Sequence, residues 1–183
     1  MSVVSQSPPV NTLSPRVTRT PVVERIALNI LATLGTITKS AGYSVDALPC
    51  RPNPGVGDSL ANGRMMLFSV EPQGPEEDRP QLYTQWLQEF YIACEVVESE
   101  TSATSIDARR NQVRADVEFA LCHDTDLGTR PNAGRGGWAE DTLVQAPIVP
   151  AVPANAHEGL IIVVVAVRYR TMWNDPFTSI YDS

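Results

Sequence analysis

The run at 160–167, Leu-Ile-Ile-Val-Val-Val-Ala-Val, limits what this chain can fold into more than any other stretch. Six of its eight side chains are β-branched (Ile161, Ile162, Val163, Val164, Val165 and Val167), stiff at χ1 and suited to a pleated surface. A run apolar on both faces belongs in the middle of a sheet, with cover on both sides. It is far shorter than the roughly 20 residues of a membrane-spanning helix. The chain must therefore build a sheet around 160–171, and the other elements are neighbours of that strand or cover for it.

A second long strand is expected over 82–97. Phe90, Ile92, Cys94 and Val96 alternate there with Glu89, Tyr91, Ala93 and Glu95. Strand side chains point alternately to opposite faces, so the first set should meet the core and the acids should lie on an open face. Shorter strands are expected over 65–70 and 142–149. Two helices supply the cover. The first takes Thr20 as N-cap and Pro21 at the first helical position. Val23, Ile26, Ala27, Ile30, Leu31, Leu34 and Ile37 follow as one stripe, ending near Lys39 with Gly42 as a stop. The second runs over 105–122, capped by Ser105 or Asp107. Ile106, Val113, Val117, Ala120 and Leu121 form its buried stripe; Arg109, Arg110 and Arg114 form its wet one.

This order predicts an α+β fold, two helices packed on a mostly antiparallel sheet of about four strands. The domain is expected over 20–177, with a flexible arm at 1–19, a glycine-rich loop insertion at 129–139 and a tail at 178–183. Proline clusters at 49–54, 72–80 and 147–153 read as loops. Residues 172–183, with Trp173, Phe177 and Tyr181, read as irregular.

The net charge of −7 sits in one segment: residues 71–100 carry eight acids and one base, leaving the rest neutral. Lys39 is the only lysine. A nucleic-acid binder draws its affinity from lysine and arginine on phosphates, so this balance argues against that class. The odd cysteine number, Cys50, Cys94 and Cys122 with no close pair, fits thiols in a reducing compartment better than a disulfide framework. Residues 1–11 have neither a basic start nor an apolar stretch, so no secretory signal is expected there.

Residues in a setting suited to catalysis or metal binding are few. His123 follows Cys122, but adjacent residues at a helix end point apart, and no second cluster completes a zinc site. Its expected role is to stabilise the helix C-terminus. His157 has no neighbour that would give it a function. Asp124 and Asp126 lack the downstream glycine and closing glutamate of a calcium loop. Glu76, Glu77 and Asp78 read as a solvated loop. The glycines at 55 and 57 have no Gly-Lys-Ser/Thr ending, and no serine lies in a Gly-x-Ser-x-Gly setting. No catalytic residue, no metal ligand and no cofactor-binding residue is expected.

Three stretches, taken in order, carry a resemblance. The first is Val22-Val23-Glu24-Arg25-Ile26-Ala27-Leu28-Asn29-Ile30-Leu31 with Ile37-Thr38 and Gly42-Tyr43. The second is Val113-Arg114-Ala115-Asp116-Val117-Glu118-Phe119-Ala120-Leu121 with Asp124-Thr125-Asp126-Leu127-Gly128. The third is Val167-Arg168-Tyr169-Arg170-Thr171 with Asp175-Pro176-Phe177. Together they resemble the tail terminator (tail completion) proteins of long-tailed bacteriophages. The resemblance implies a non-catalytic α+β subunit, without cofactor or membrane, that is assembled in the host cytoplasm and resides in the virion. It implies a ring, a hexamer, that caps the tail tube, stops its growth and gives the head a docking surface. Its partners would be itself, the tail tube protein and the neck or head-completion proteins, with genomic DNA met only in passage. In such a ring Glu76, Glu77, Asp78, Glu89 and Glu95 are candidates for the channel wall, where like charge would keep DNA from sticking. Trp173, Phe177 and Tyr181 are candidates for contact with a neighbouring subunit or partner. The arm at 1–19 and the insertion at 129–139 depart from the family pattern. A neck or head-closure connector on the portal side is the alternative reading, and a small soluble enzyme or adaptor the third.

Overall fold

In a computed structural model of the chain, the residues described are 19–52, 61–70, 83–98, 104–122, 137–151, 157–173, 175–180 and 182. The elements follow as α1 (Val22–Leu34), a 3-10 turn (Lys39–Ala41), β1 (Leu48–Cys50), β2 (Arg64–Ser69) and β3 (Tyr83–Val97), then α2 (Ile106–Cys122), β4 (Ala139–Val144), β5 (Glu158–Met172) and β6 (Asp175–Ser179). The sheet order is β1-β2-β3-β5-β4, with β6 also on β5. Every pairing is antiparallel except β1 with β2. The fold is α+β, as the sequence predicts, with six strands rather than about four.

The two additional strands come from segments read as loop and tail. β1 is three residues long and lies on the sheet's edge, where Pro49 removes no ladder bond that a central strand would need. β6 turns back from β5 as a hairpin despite Pro176, pairing only at Thr171–Ser179 and Met172–Asp175. β4 ends at Val144, earlier than expected; an isolated bridge then joins Ile148 to Ile162.

β5 is central, as its composition requires. β3 pairs with it over its full length, with Phe90 opposite Val165, while β4 and β6 share its other side. On one face Phe90, Ile92, Cys94 and Val96 of β3 meet Ile161, Val163, Val165 and Val167 of β5, and both helices pack there in a single core. Val22, Ile26, Ala27, Ile30 and Leu34 supply the stripe of α1; Ile106, Val113, Val117 and Leu121 supply that of α2. Burying side chains of this size contributes roughly 1.5–3 kcal/mol each.

Two helix expectations need correction. α1 stops at Leu34 rather than near Lys39, and Thr20 does not cap it: Pro21 holds the N-cap position without a side-chain bond. The Thr33 hydroxyl donates back to the Asn29 carbonyl and the Thr36 hydroxyl to that of Thr33, local bonds that compete with continued helix. Ile37 remains buried beyond the helix end, and Thr38 caps the short turn that follows. On α2, Arg110 is not on the wet face. It is buried, donating to the Leu160 and Pro150 carbonyls and to Asp107. Gly159 makes the room: a Cβ there would sit 3.1 Å from Arg110 Nε.

Candidate interaction surface

Among the described residues, no helix packs on the other face of the sheet. The expectation that β5 is covered on both sides therefore holds for one side only. The ladder registers place the occupants of this open face row by row. Cys50, Met66, Ala93 and Ile162 form one row, extended by Ile148 across its bridge. Phe68, Tyr91 and Val164 form the next; Glu89, Ala166 and Leu143 follow. Leu143 is 60% exposed, Ile148 47% and Phe68 38%. Val164 and Ala166 are buried between larger cross-strand partners, Tyr91 beside the first and Leu143 beside the second. The result is an apolar band running across the strands.

Ion pairs close the band at both ends. On one side Arg168 faces Asp141 at 3.8 Å and Arg170 meets Glu140 at 2.9 Å. On the other, Arg64 meets Glu95 at 2.7 Å. An apolar centre with a charged rim is the anatomy of a protein–protein contact.

Glu95 thereby departs from its expected place. It lies on the predicted side of β3, yet it is only 2% exposed. The turn before β2 folds over it: the Ala61 N–H donates to its Oε2 at 2.7 Å and Arg64 to its Oε1 at 2.8 Å. Gly63 permits that turn with φ +84°; a Cβ there would lie 2.2 Å from the Asp46 carbonyl oxygen. Glu95 is therefore a structural ion-pair partner and not an exposed acid of a channel wall. Glu89 does lie on the open face, half-buried. Its carboxylate has no hydrogen-bond or ion-pair partner among the described residues. Glu76, Glu77 and Asp78 lie outside the described residues, as do His123, Asp124, Asp126 and most of the 1–19 and 129–139 segments.

Trp173 and Phe177 are exposed at the β5–β6 hairpin, and Tyr181 lies outside the described residues. A clasp that the sequence reading missed holds this hairpin down. Arg25 on α1 forks onto both carboxylate oxygens of Asp182 at 2.8 Å and donates to the Phe177 carbonyl. Its guanidinium lies 5.0 Å over the Trp138 ring, whose Nε1 donates to Asp182 at 3.2 Å. The Arg25 bond is the main cause holding the Asp182 carboxyl below its ordinary range. Arg25 was legible only as a polar residue beside the α1 stripe; nothing local in sequence ties it to a residue 157 positions away.

No group of three or more potential metal ligands occurs among the described residues, and no described helix is long and apolar enough to cross a membrane. Neither a scan against protein-family models nor a search of curated proteins finds a match to this chain.

Proposed function

We propose that the chain is a structural, non-catalytic subunit of a tailed-bacteriophage virion, a tail terminator whose ring caps the tail tube and joins it to the head. The observation that carries this reading is an apolar, charge-rimmed sheet face on which no described helix packs, opposite a face that carries both helices. Contiguous apolar surface on a soluble domain marks a place for a partner. A two-layer subunit with one open layer is suited to head-to-tail contact with its own copies, the arrangement that closes into rings. The ordered resemblance at 22–43, 113–128 and 167–177 supplies the identity of the ring.

The charge pattern agrees with a protein that DNA passes rather than one that grips it. Every described arginine except Arg19 is engaged in an ion pair, which leaves few cations among the described residues for phosphates. With Glu95 buried, an acidic channel wall would rest on other carboxylates.

Native mass spectrometry of the purified protein, alone and after incubation with tail tube protein, tests the reading. A closed oligomer in either sample, associated with tubes in the second, supports it. A strict monomer in both samples overturns it.

A further inference from the structure

We propose that Asn62 is a site of spontaneous deamidation, guarded by the fold, whose conversion to isoaspartate frees β1 from the edge of the sheet. Asn62-Gly63 is the only Asn-Gly pair in the chain. Asparagine is thermolabile, and a following glycine, with no Cβ, leaves the attacking amide nitrogen unhindered. In the reaction the Gly63 nitrogen attacks Asn62 Cγ. A Gly63 N–Cγ bond forms, the Cγ–Nδ2 bond breaks, and ammonia leaves with the former Gly63 amide proton. Water then opens the succinimide ring. Opening at Cγ gives aspartate; opening at the Asn62 main-chain carbonyl gives isoaspartate, whose backbone runs through the side chain and is longer by one carbon. Water is the co-reactant, and nothing is oxidised or reduced. This chemistry is independent of what the open face binds.

Hydrogen bonds hold both reacting groups in the folded chain. The Val97 N–H donates to Asn62 Oδ1 at 3.3 Å, and the Gly63 N–H donates to the Glu95 carbonyl at 3.1 Å. The Arg64 N–H closes the turn on the Ala61 carbonyl at 2.9 Å, with Gly63 at the position of positive φ. Asn62 itself is exposed, whereas Gly63 is buried. While these bonds persist, the Gly63 nitrogen neither gives its proton to water nor turns towards Cγ. Local opening of the turn is therefore the step that admits the reaction.

The two products differ in what they do to the sheet. Aspartate can re-form the turn, since a carboxylate oxygen serves the Val97 N–H as the amide oxygen does. Isoaspartate cannot, because its extra carbon displaces Gly63, and the space beside Gly63 is filled by the Asp46 carbonyl and the Val45 side chain. The Gly63 carbonyl accepts the Leu48 N–H at 2.8 Å, where the parallel pairing of β1 with β2 begins. β1 is three residues long and ends the sheet order, so loss of that bond leaves it little to hold it.

The test holds the intact protein in mildly alkaline buffer, with and without urea, and follows the peptide spanning Asn62 by mass spectrometry for exchange of the amide for an acid. Methylation by an isoaspartate-specific methyltransferase separates the two products. In urea Asn62 should convert faster than every other asparagine. In the folded protein it should convert at least about tenfold more slowly than in urea, because opening comes first. Hydrogen exchange on the isoaspartate-bearing fraction should find the Leu48 and Gly63 amides unprotected and those of Val163 and Val165 unchanged. Asn62→Asp, which brings the charge without the extra carbon, should keep the Leu48 amide protected. Equal rates with and without urea, or an Asn62 no faster in urea than the other asparagines, overturn the guarded site. Isoaspartate-bearing protein that keeps Leu48 protected, or that loses β5 protection as well, overturns the release of β1, as does an unprotected Leu48 in Asn62→Asp.

Discussion

Replacing Glu95 with alanine should destabilise the fold far more than the same change at Glu89, although the two occupy equivalent places in the alternation of β3. Glu95 is 2% exposed and accepts from both the Ala61 N–H and Arg64. Removing one member of a buried, hydrogen-bonded ion pair costs about 3–5 kcal/mol, because the other charge stays behind. The Arg64 side chain keeps 16% of its exposure, so part of its charge reaches water and the expected loss falls to about 2–3 kcal/mol. Glu95→Gln keeps an oxygen for Ala61 and should lose about 1–2 kcal/mol. Glu89→Gln, whose carboxylate has no partner among the described residues, should stay within about 0.5 kcal/mol of wild type. Replacing both members, Arg64→Met with Glu95→Leu, should cost less than Glu95→Ala alone, since no buried charge is stranded. Urea unfolding followed by tryptophan fluorescence reads all of these. If Glu95→Ala and Glu89→Ala lower stability equally, or if Glu95→Ala changes it by less than about 0.5 kcal/mol, the buried assignment is wrong.

Gly63→Ala should cost clearly more than Gly137→Ala in the same assay. Both have positive φ, worth about 1–2 kcal/mol against a side chain, but only Gly63 would drive a Cβ into a backbone oxygen; equal losses would refute the close approach. The Arg25–Asp182 clasp should add under about 1 kcal/mol, because both side chains are partly exposed. Since the folded Asp182 pKa lies below its unfolded value, that increment is present above about pH 4 and is lost as pH falls through the folded pKa, a dependence Asp182→Asn should remove. The Cys94 thiol, pushed up to about 12 by burial, should resist a thiol reagent until the protein unfolds; labelling at equal rates in buffer and in urea would contradict this.

The parts of the fold that were legible in sequence are those set by periodicity. The β-branched run became the central strand, and Phe90 through Val96 alternate as the pattern requires. What failed depends on contacts distant in sequence. Alternation states which side of β3 Glu95 occupies, but only the turn from Ala61 to Arg64 decides that this side is closed there. The burial of Arg110 depends on carbonyls at Pro150 and Leu160, and on a glycine at 159. β1 escaped notice because Pro49 belongs to a proline cluster that reads as a loop, and β6 because 172–183 shows no strand alternation; on an edge or in a hairpin the N–H missing at Pro49 or Pro176 costs little. The apolar open face was partly visible, since Phe68, Leu143 and Ile148 are large side chains within strand-like segments. Their alignment into one band needed the register.

Electron microscopy of the protein mixed with purified tail tubes decides whether the chain is a terminator. A ring should be seated on one end of the tubes, with tubes no longer lengthening once it is in place. Bare tube ends that continue to grow, with the protein remaining monomeric in solution, would contradict it.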